Sequence, residues 1–191
     1  LRTVFQIRGV TGAGKTTAMR NLLRTYGTPK AFRYATAHGQ EEFTRSGKLV
    51  VVGNYNARAN CVGCDRLKGR GHIFDAVDAM MGRSEELIGL ESMIFSTTYK
   101  MSADLYKRCT QHGYEFKLVF LDCDFVTALE RVHKRNGGKP ISLTRLEHRI
   151  QSYETSRDKC LSAGIPSVRI DATRGANFVL QRVKEALLWT D

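Results

Sequence analysis

Gly9-Val10-Thr11-Gly12-Ala13-Gly14-Lys15-Thr16-Thr17 satisfies G-x-x-x-x-G-K-[ST] in full, with an extra glycine at position 12. Val4-Phe5-Gln6-Ile7, just before it, reads as a short strand. From Thr16 to Tyr26, residues Ala18, Met19, Leu22, Leu23 and Tyr26 fall on one helical face, and Gly27 with Pro29 ends the helix. The chemistry requires this order of strand, glycine loop and helix. Glycines let successive backbone N–H groups turn inward around phosphate oxygens, where a side chain would collide. Lys15 places a flexible cation on the β- and γ-phosphates, and the Thr16 hydroxyl suits Mg²⁺. The following helix turns its positive end toward the anion. The segment therefore predicts a nucleoside triphosphate site in which Gly9, Thr11, Gly12, Ala13, Gly14, Lys15, Thr16 and Thr17 hold ATP.

Working outward, strands and helices keep alternating. Leu49-Val50-Val51-Val52, Phe116 to Leu121 and Val168-Arg169-Ile170 read as buried strands, and Glu86 to Glu91 as a further short apolar segment. Helices are predicted over His72 to Arg83, through Ala103, Leu105, Tyr106 and Cys109, around Val126, Leu129 and Val132, from Ser142 to Ala163 with Leu143, Leu146, Ile150, Tyr153 and Cys160 inward, and from Phe178 to Trp189. The pattern predicts one α/β domain over 1–191, with about five parallel strands and helices on both faces.

Composition narrows the class. Across 191 residues, 42% are hydrophobic and 26% charged, ordinary globular values that exclude a largely disordered chain. No apolar run approaches the roughly 18 residues of a membrane span, and no signal-peptide pattern opens the sequence. The five cysteines, at 61, 64, 109, 123 and 160, are expected as free thiols in a reducing cytoplasm. Cys61-x-x-Cys64 and Cys109-x-x-His112 have zinc-ligand spacing within each pair, but the pairs are far apart in sequence. The net charge of +11 suits a polyanionic partner, and equally a phosphorylated small substrate.

The triphosphate motif alone does not name a reaction. No guanine-reading Asn-Lys-x-Asp segment is present. Over nearly its whole length the chain resembles the small P-loop kinases related to nucleotide and polynucleotide kinases, and three segments carry that resemblance. Cys64-Asp65-Arg66-Leu67 follows the second strand, where related kinases carry the base that accepts the nucleophile's proton; the resemblance gives Asp65 that role and lets Arg66 clamp a substrate phosphate. Leu87-Ile88-Gly89-Leu90-Glu91 resembles a strand ending in a Mg²⁺-positioning acid, although Glu91-Ser92 equally suits a helix cap. Residues 131–149 carry six Lys+Arg and only Glu147 as an acid, like an arginine-bearing lid, with Arg131 and Arg135 one turn apart as the candidates for the transferring phosphoryl group.

Val52-Gly53-Asn54-Tyr55 followed by Gly63-Cys64-Asp65-Arg66-Leu67 further resembles the phage P-loop kinases found with DNA base hypermodification. The activity best described there is phosphorylation of the hydroxymethyl group of 5-hydroxymethyluracil within DNA. That resemblance implies ATP and Mg²⁺ as cofactors, DNA carrying a modified base as partner, and the host cytoplasm as location. Arg58, Arg66, Lys68 and Arg70 would track the strand and Tyr55 would stack on the acceptor base. A kinase for a free nucleotide or other small hydroxyl, and a non-catalytic nucleotide-binding protein on DNA, remain open, as does the oligomeric state.

Overall fold

The computed structural model describes residues 1–56, 63–139 and 141–188. Strand β1 (Thr3–Gly9) is buried along its whole length, because strands flank it on both sides and helices cover both its faces. With β4 (Leu49–Val52), β5 (Leu87–Glu91), β6 (Glu115–Asp122) and β7 (Ser167–Asp171) it forms five parallel strands in the spatial order β4-β5-β1-β6-β7. Register places Val4 between Ile88 and Phe116, and Ile7 between Glu91 and Val119. The P-loop and the end of β5 thus emerge side by side at one edge of the sheet. Binding at the carboxyl ends of parallel strands is the general rule for open α/β sheets.

The sheet continues beyond these five. β2 (Lys30–Thr36) and β3 (Gly39–Ser46) form a hairpin that extends the β4 edge antiparallel, giving the seven-stranded order β2-β3-β4-β5-β1-β6-β7. The sequence reading contains neither strand. Within β3 only Phe43 is a large apolar residue; the buried Glu41 and Thr44 are satisfied by His72 and by the backbone of Gly53 and Tyr55. Polar residues with internal partners do not produce a hydrophobic period.

Helices α1 (Lys15–Tyr26) and α7 (Ala176–Leu188) pack together on one face. Helices α2 (Arg70–Gly82), α3 (Met93–Thr97), α4 (Tyr99–Gln111) and α6 (Leu143–Ser162) cover the other. The pleat of β1 shows the division. A side chain at Gly89 would meet Phe5 and Met19 on the α1 face, whereas Gln6 and Arg8 bond Ser102 of α4 on the other. Arg108–Asp78 and Arg70–Asp104 ion pairs tie α4 to α2. Helix α5 (Phe125–Arg135) packs against α6. Leu143, expected inward, is 51% exposed, because it sits in the first turn of α6, before the helix reaches the sheet. Trp189, expected in the closing helix, lies outside the described residues.

Candidate active site

The residues from Val10 to Gly14 turn the chain from β1 into α1. Gly12 has φ +90°, and a Cβ there would lie 2.5 Å from the Ala128 carbonyl oxygen, so α5 presses against the back of the loop. Glycine is required at this point twice over. The Gly9 amide donates to Ser96 Oγ (3.1 Å), and Thr11 joins two helices to the loop: its hydroxyl accepts from Arg149 Nη1 (3.3 Å) and donates to Met93 Sδ (3.8 Å). A cavity of about 530 Å³ opens over Gly12 to Thr17 and is closed by Arg131, Arg135 and the start of α7. Its size suits a nucleotide.

Lys15 is buried, and its ammonium donates to the carbonyl oxygens of Gly9 (2.9 Å) and Val10 (3.2 Å). Burial pushes its pKa down from the ordinary lysine value; the Glu91 and Asp65 carboxylates hold it up, and Arg135 and Arg149 push it down again. An ammonium so placed gains by exchanging two neutral carbonyls for phosphate oxygens. Thr16 Oγ1 donates to Glu91 Oε1 at 2.7 Å. Burial drives the Glu91 carboxyl above the usual range, while Lys15 and Thr16 pull it back. The two readings of this stretch divide between neighbours: Glu91 ends β5, and Ser92 caps α3 by accepting from the amides of Ile94 (3.0 Å) and Phe95 (3.4 Å). A threonine hydroxyl beside a buried carboxylate is a hard-oxygen pair that fits Mg²⁺, which prefers few protein ligands and keeps the rest for water and phosphate.

Asp65 sits in a one-turn 3-10 helix, Gly63–Arg66, exposed to solvent. Its Oδ1 accepts from Ser92 Oγ (2.7 Å) and from the Met93 amide (3.0 Å), which fixes the carboxylate one residue from Glu91 and within the field of Lys15. The lid candidates separate. Arg135 is exposed on the cavity wall, whereas Arg131 is half-buried and spends its donors on the carbonyls of Ala172 (2.9 Å) and Gly12 (3.4 Å), bracing the loop. Arg149 joins them from α6 through its bond to Thr11. Sequence reading noted Arg149 only as part of the basic run; its place follows from the packing of α6, which spacing does not reveal. Ser92 was readable as a helix cap but not as a partner of Asp65, and Met93, which also holds Asp65, carried no signal of its own.

Of the remaining candidates, one needs correction, one lies beside the nucleotide cavity, and two fall outside the described residues. Tyr55 offers no free ring face for stacking on a base: it is 5% exposed, its amide is tied to Thr44 Oγ1 (2.8 Å), and its hydroxyl faces Glu91 without a hydrogen bond of good geometry. Arg66 does not line the nucleotide cavity; it lines a neighbouring cleft between the β2–β3 hairpin and its own turn. Arg58 and Cys61 lie outside the described residues. Cys64 is buried beside Asp65 and Glu91, and Cys109 is buried near Asp78, with its thiol pushed up to about 12 by burial. Among the described residues no three His, Cys, Asp or Glu side chains group as metal ligands, and no helix is long and apolar enough to cross a membrane.

A parallel sheet with a central P-loop strand, a buried Lys15, a Thr16–Glu91 pair and an exposed carboxylate beside them define a P-loop phosphotransferase. Two solved structures share the fold. Deoxyadenosine kinase from M. mycoides with bound dATP is 14% identical, covers 98% of this chain and 100% of its own, and has a TM-score of 0.56. YorR from Bacillus subtilis, in complex with phosphorylated GDP, is 11% identical, covers 97% and 96%, and has a TM-score of 0.61. The chain belongs to the 5-hmdU DNA kinase family, whose profile matches residues 2–179. A 5-hmdU DNA kinase from Pseudomonas phage M6 is 27% identical over 166 residues, covering 84% of this chain and 86% of its own. Another from Pseudomonas phage PaMx11 is 23% identical over 192 residues, covering 96% and 97%.

Proposed function

We propose that the protein transfers the γ-phosphoryl group of ATP to the hydroxymethyl oxygen of 5-hydroxymethyluracil within DNA. The observation that carries this reading is the convergence of Lys15, Thr16, Glu91 and Asp65 at the ends of β1 and β5, in a chain whose family bears that activity's name.

Lys15 leaves the loop carbonyls for the β- and γ-phosphates, and the backbone of Gly12 to Thr16 cradles them. Thr16 and Glu91 are the residues that would hold Mg²⁺, whose bound charge would offset that of the phosphates. Asp65 orients the acceptor hydroxyl and takes its proton as the new O–P bond forms and the bond to the ADP oxygen breaks. Arg135 and Arg149 meet the charge that spreads over the transferring group, and Arg131 keeps the loop in shape for them. Most of the rate enhancement in such a site comes from positioning and charge.

The test is an acceptor panel. With γ-labelled ATP and Mg²⁺, label is expected on DNA containing 5-hydroxymethyluracil and not on unmodified DNA. Label on free nucleotides but never on polymer would instead make this a small-substrate kinase. DNA binding without transfer to any acceptor would make it non-catalytic.

A further inference from the structure

We infer that the cleft between the β2–β3 hairpin and the Gly63–Arg66 turn receives the acceptor pyrimidine, and that Gln40 and Asn54 read its edge. The inference rests on the kinase reading above and names the residues that choose the acceptor. The cleft has a volume of about 310 Å³, at the small end for ligand sites and suited to one nucleotide taken out of the stack. Gly63 and Arg66 line it, and these belong to the same turn as Asp65. Its floor is backbone: a Cβ on Gly53 would lie 2.4 Å from the Gly63 Cα, so strand end and turn touch with no side chain between them. Its far wall is β3. The ladder to β4 ends at the Phe43–Val52 pair and a bond from the Gly53 amide to the Glu42 carbonyl (2.8 Å), so Gln40 and Glu41 present a strand edge to the cleft without a β4 partner.

The polar side chains around this space divide into committed and free. Arg33 pairs with Glu42 at 3.2 Å, and Glu41 is hydrogen-bonded to the His72 ring at 2.5 Å, so both acids already have partners. Gln40 and Arg66 make no side-chain hydrogen bond or ion pair among the described residues. Asn54 Oδ1 accepts from the Asn56 amide (3.1 Å), and its NH₂ group makes no hydrogen bond among the described residues, so it is available to a ligand. The pairing edge of uracil presents a carbonyl, an N–H and a second carbonyl in a row. One amide satisfies two adjacent groups, its oxygen taking the N–H and its NH₂ giving to a carbonyl; a second NH₂ satisfies the remaining carbonyl. Gln40 and Asn54 supply that set. C5 lies off this edge, so its hydroxymethyl group stays free for Asp65. Arg66, exposed and without an ion pair among the described residues, meets a phosphate of the same strand.

Steady-state transfer from γ-labelled ATP decides it, with a 5-hydroxymethyluracil oligonucleotide in one arm and the free 5-hydroxymethyluracil nucleotide in the other. Gln40→Ala, Gln40→Glu and Asn54→Ala should each raise the KM for acceptor about ten-fold or more, while the KM for ATP stays put and reports a folded protein. Arg66→Ala should weaken binding of modified and unmodified DNA alike and lower the salt slope by about one. Acceptor KM values unchanged in all three edge variants, with the wild type active, would overturn the pocket and leave the kinase reading standing. An equal rise in both KM values would overturn it too, as a general loss of structure. Transfer to the free nucleotide alone, with the acceptor KM rise intact, would keep the pocket and move the acceptor off the polymer.

Discussion

Lys15 and Asp65 are one field apart but do separable work, and substitutions should separate them. Lys15→Ala removes the cation that leaves the loop carbonyls for phosphate, so phosphoryl transfer should be lost while cooperative thermal unfolding persists. Normal turnover by the folded variant would take that role from Lys15. Asp65→Asn should lower kcat by about 10² or more with the KM for ATP nearly unchanged. The amide keeps an oxygen where Oδ1 accepts from Ser92 and Met93, so the turn stays in place while proton acceptance is lost. A rise in the KM for ATP instead would mark Asp65 as a structural or metal residue. At this scale the sequence was informative where chemistry and spacing coincide: Lys15, Thr16 and Glu91 could be picked out because a motif or a strand end marks them. Arg149 could not, since its bond to Thr11 spans 138 residues and exists only because α6 crosses the loop. Tyr55 misled because an aromatic residue beside a basic loop reads as a stacking platform, whereas here it fills the core beneath Glu91.

Helices α3, α4 and α6 are gathered onto the P-loop strand by one side chain, Arg8, which is fully buried one residue before the loop. Its guanidinium donates to Ser102 Oγ (3.0 Å), Cys160 Sγ (2.8 Å), Ser96 O (3.0 Å) and Ser156 Oγ (2.7 Å), and stacks on Phe120 at 5.3 Å. Burial pushes its pKa down from the ordinary arginine value, and the Cys160 thiol opposes that shift. Arg8→Ala leaves a cavity and several unpaired polar groups, so it should cost about 3 kcal/mol or more. At roughly 2–4 °C per kcal/mol for a chain of this size, Tm should fall by roughly 6 °C or more. An unchanged Tm would mean that the desolvation of the charge had cancelled its bonds. The elements themselves show what periodicity can and cannot carry. The five parallel strands are readable because burial on both faces demands apolar runs such as Leu49 to Val52. The β2–β3 hairpin is not: it lies at the sheet edge, and its inward Glu41 and Thr44 are stabilised by partners rather than by apolar contact. That hairpin supplies a wall of the acceptor cleft, so the part of the site that chooses the substrate was the least visible from the sequence.

On the scale of the whole molecule, the net charge of +11 is unevenly spent. Arg45, Arg70, Arg83, Arg108 and Arg157 are held in ion pairs, whereas among the described residues Arg131, Lys134, Arg135, Lys139, Arg145 and Arg149 form none. Cations left unpaired around a phosphate site attract a phosphate chain, so DNA affinity should fall steeply and linearly on a log–log plot as salt rises, whatever the base sequence. A flat salt dependence would confine these charges to the bound nucleotide. Binding of that kind selects no base, so selectivity has to reside in the chemistry at Asp65 and in the cleft beside it. The most direct measurement follows the phosphate itself. DNA containing 5-hydroxymethyluracil and lacking free 5′-hydroxyls is incubated with γ-labelled ATP and digested to nucleoside monophosphates by nucleases without phosphatase, and the labelled product is identified by mass spectrometry. The account predicts a single labelled nucleotide carrying the second phosphate on the 5-hydroxymethyl oxygen. Label confined to added free nucleotides, or appearing only when strand ends are left open, would contradict it.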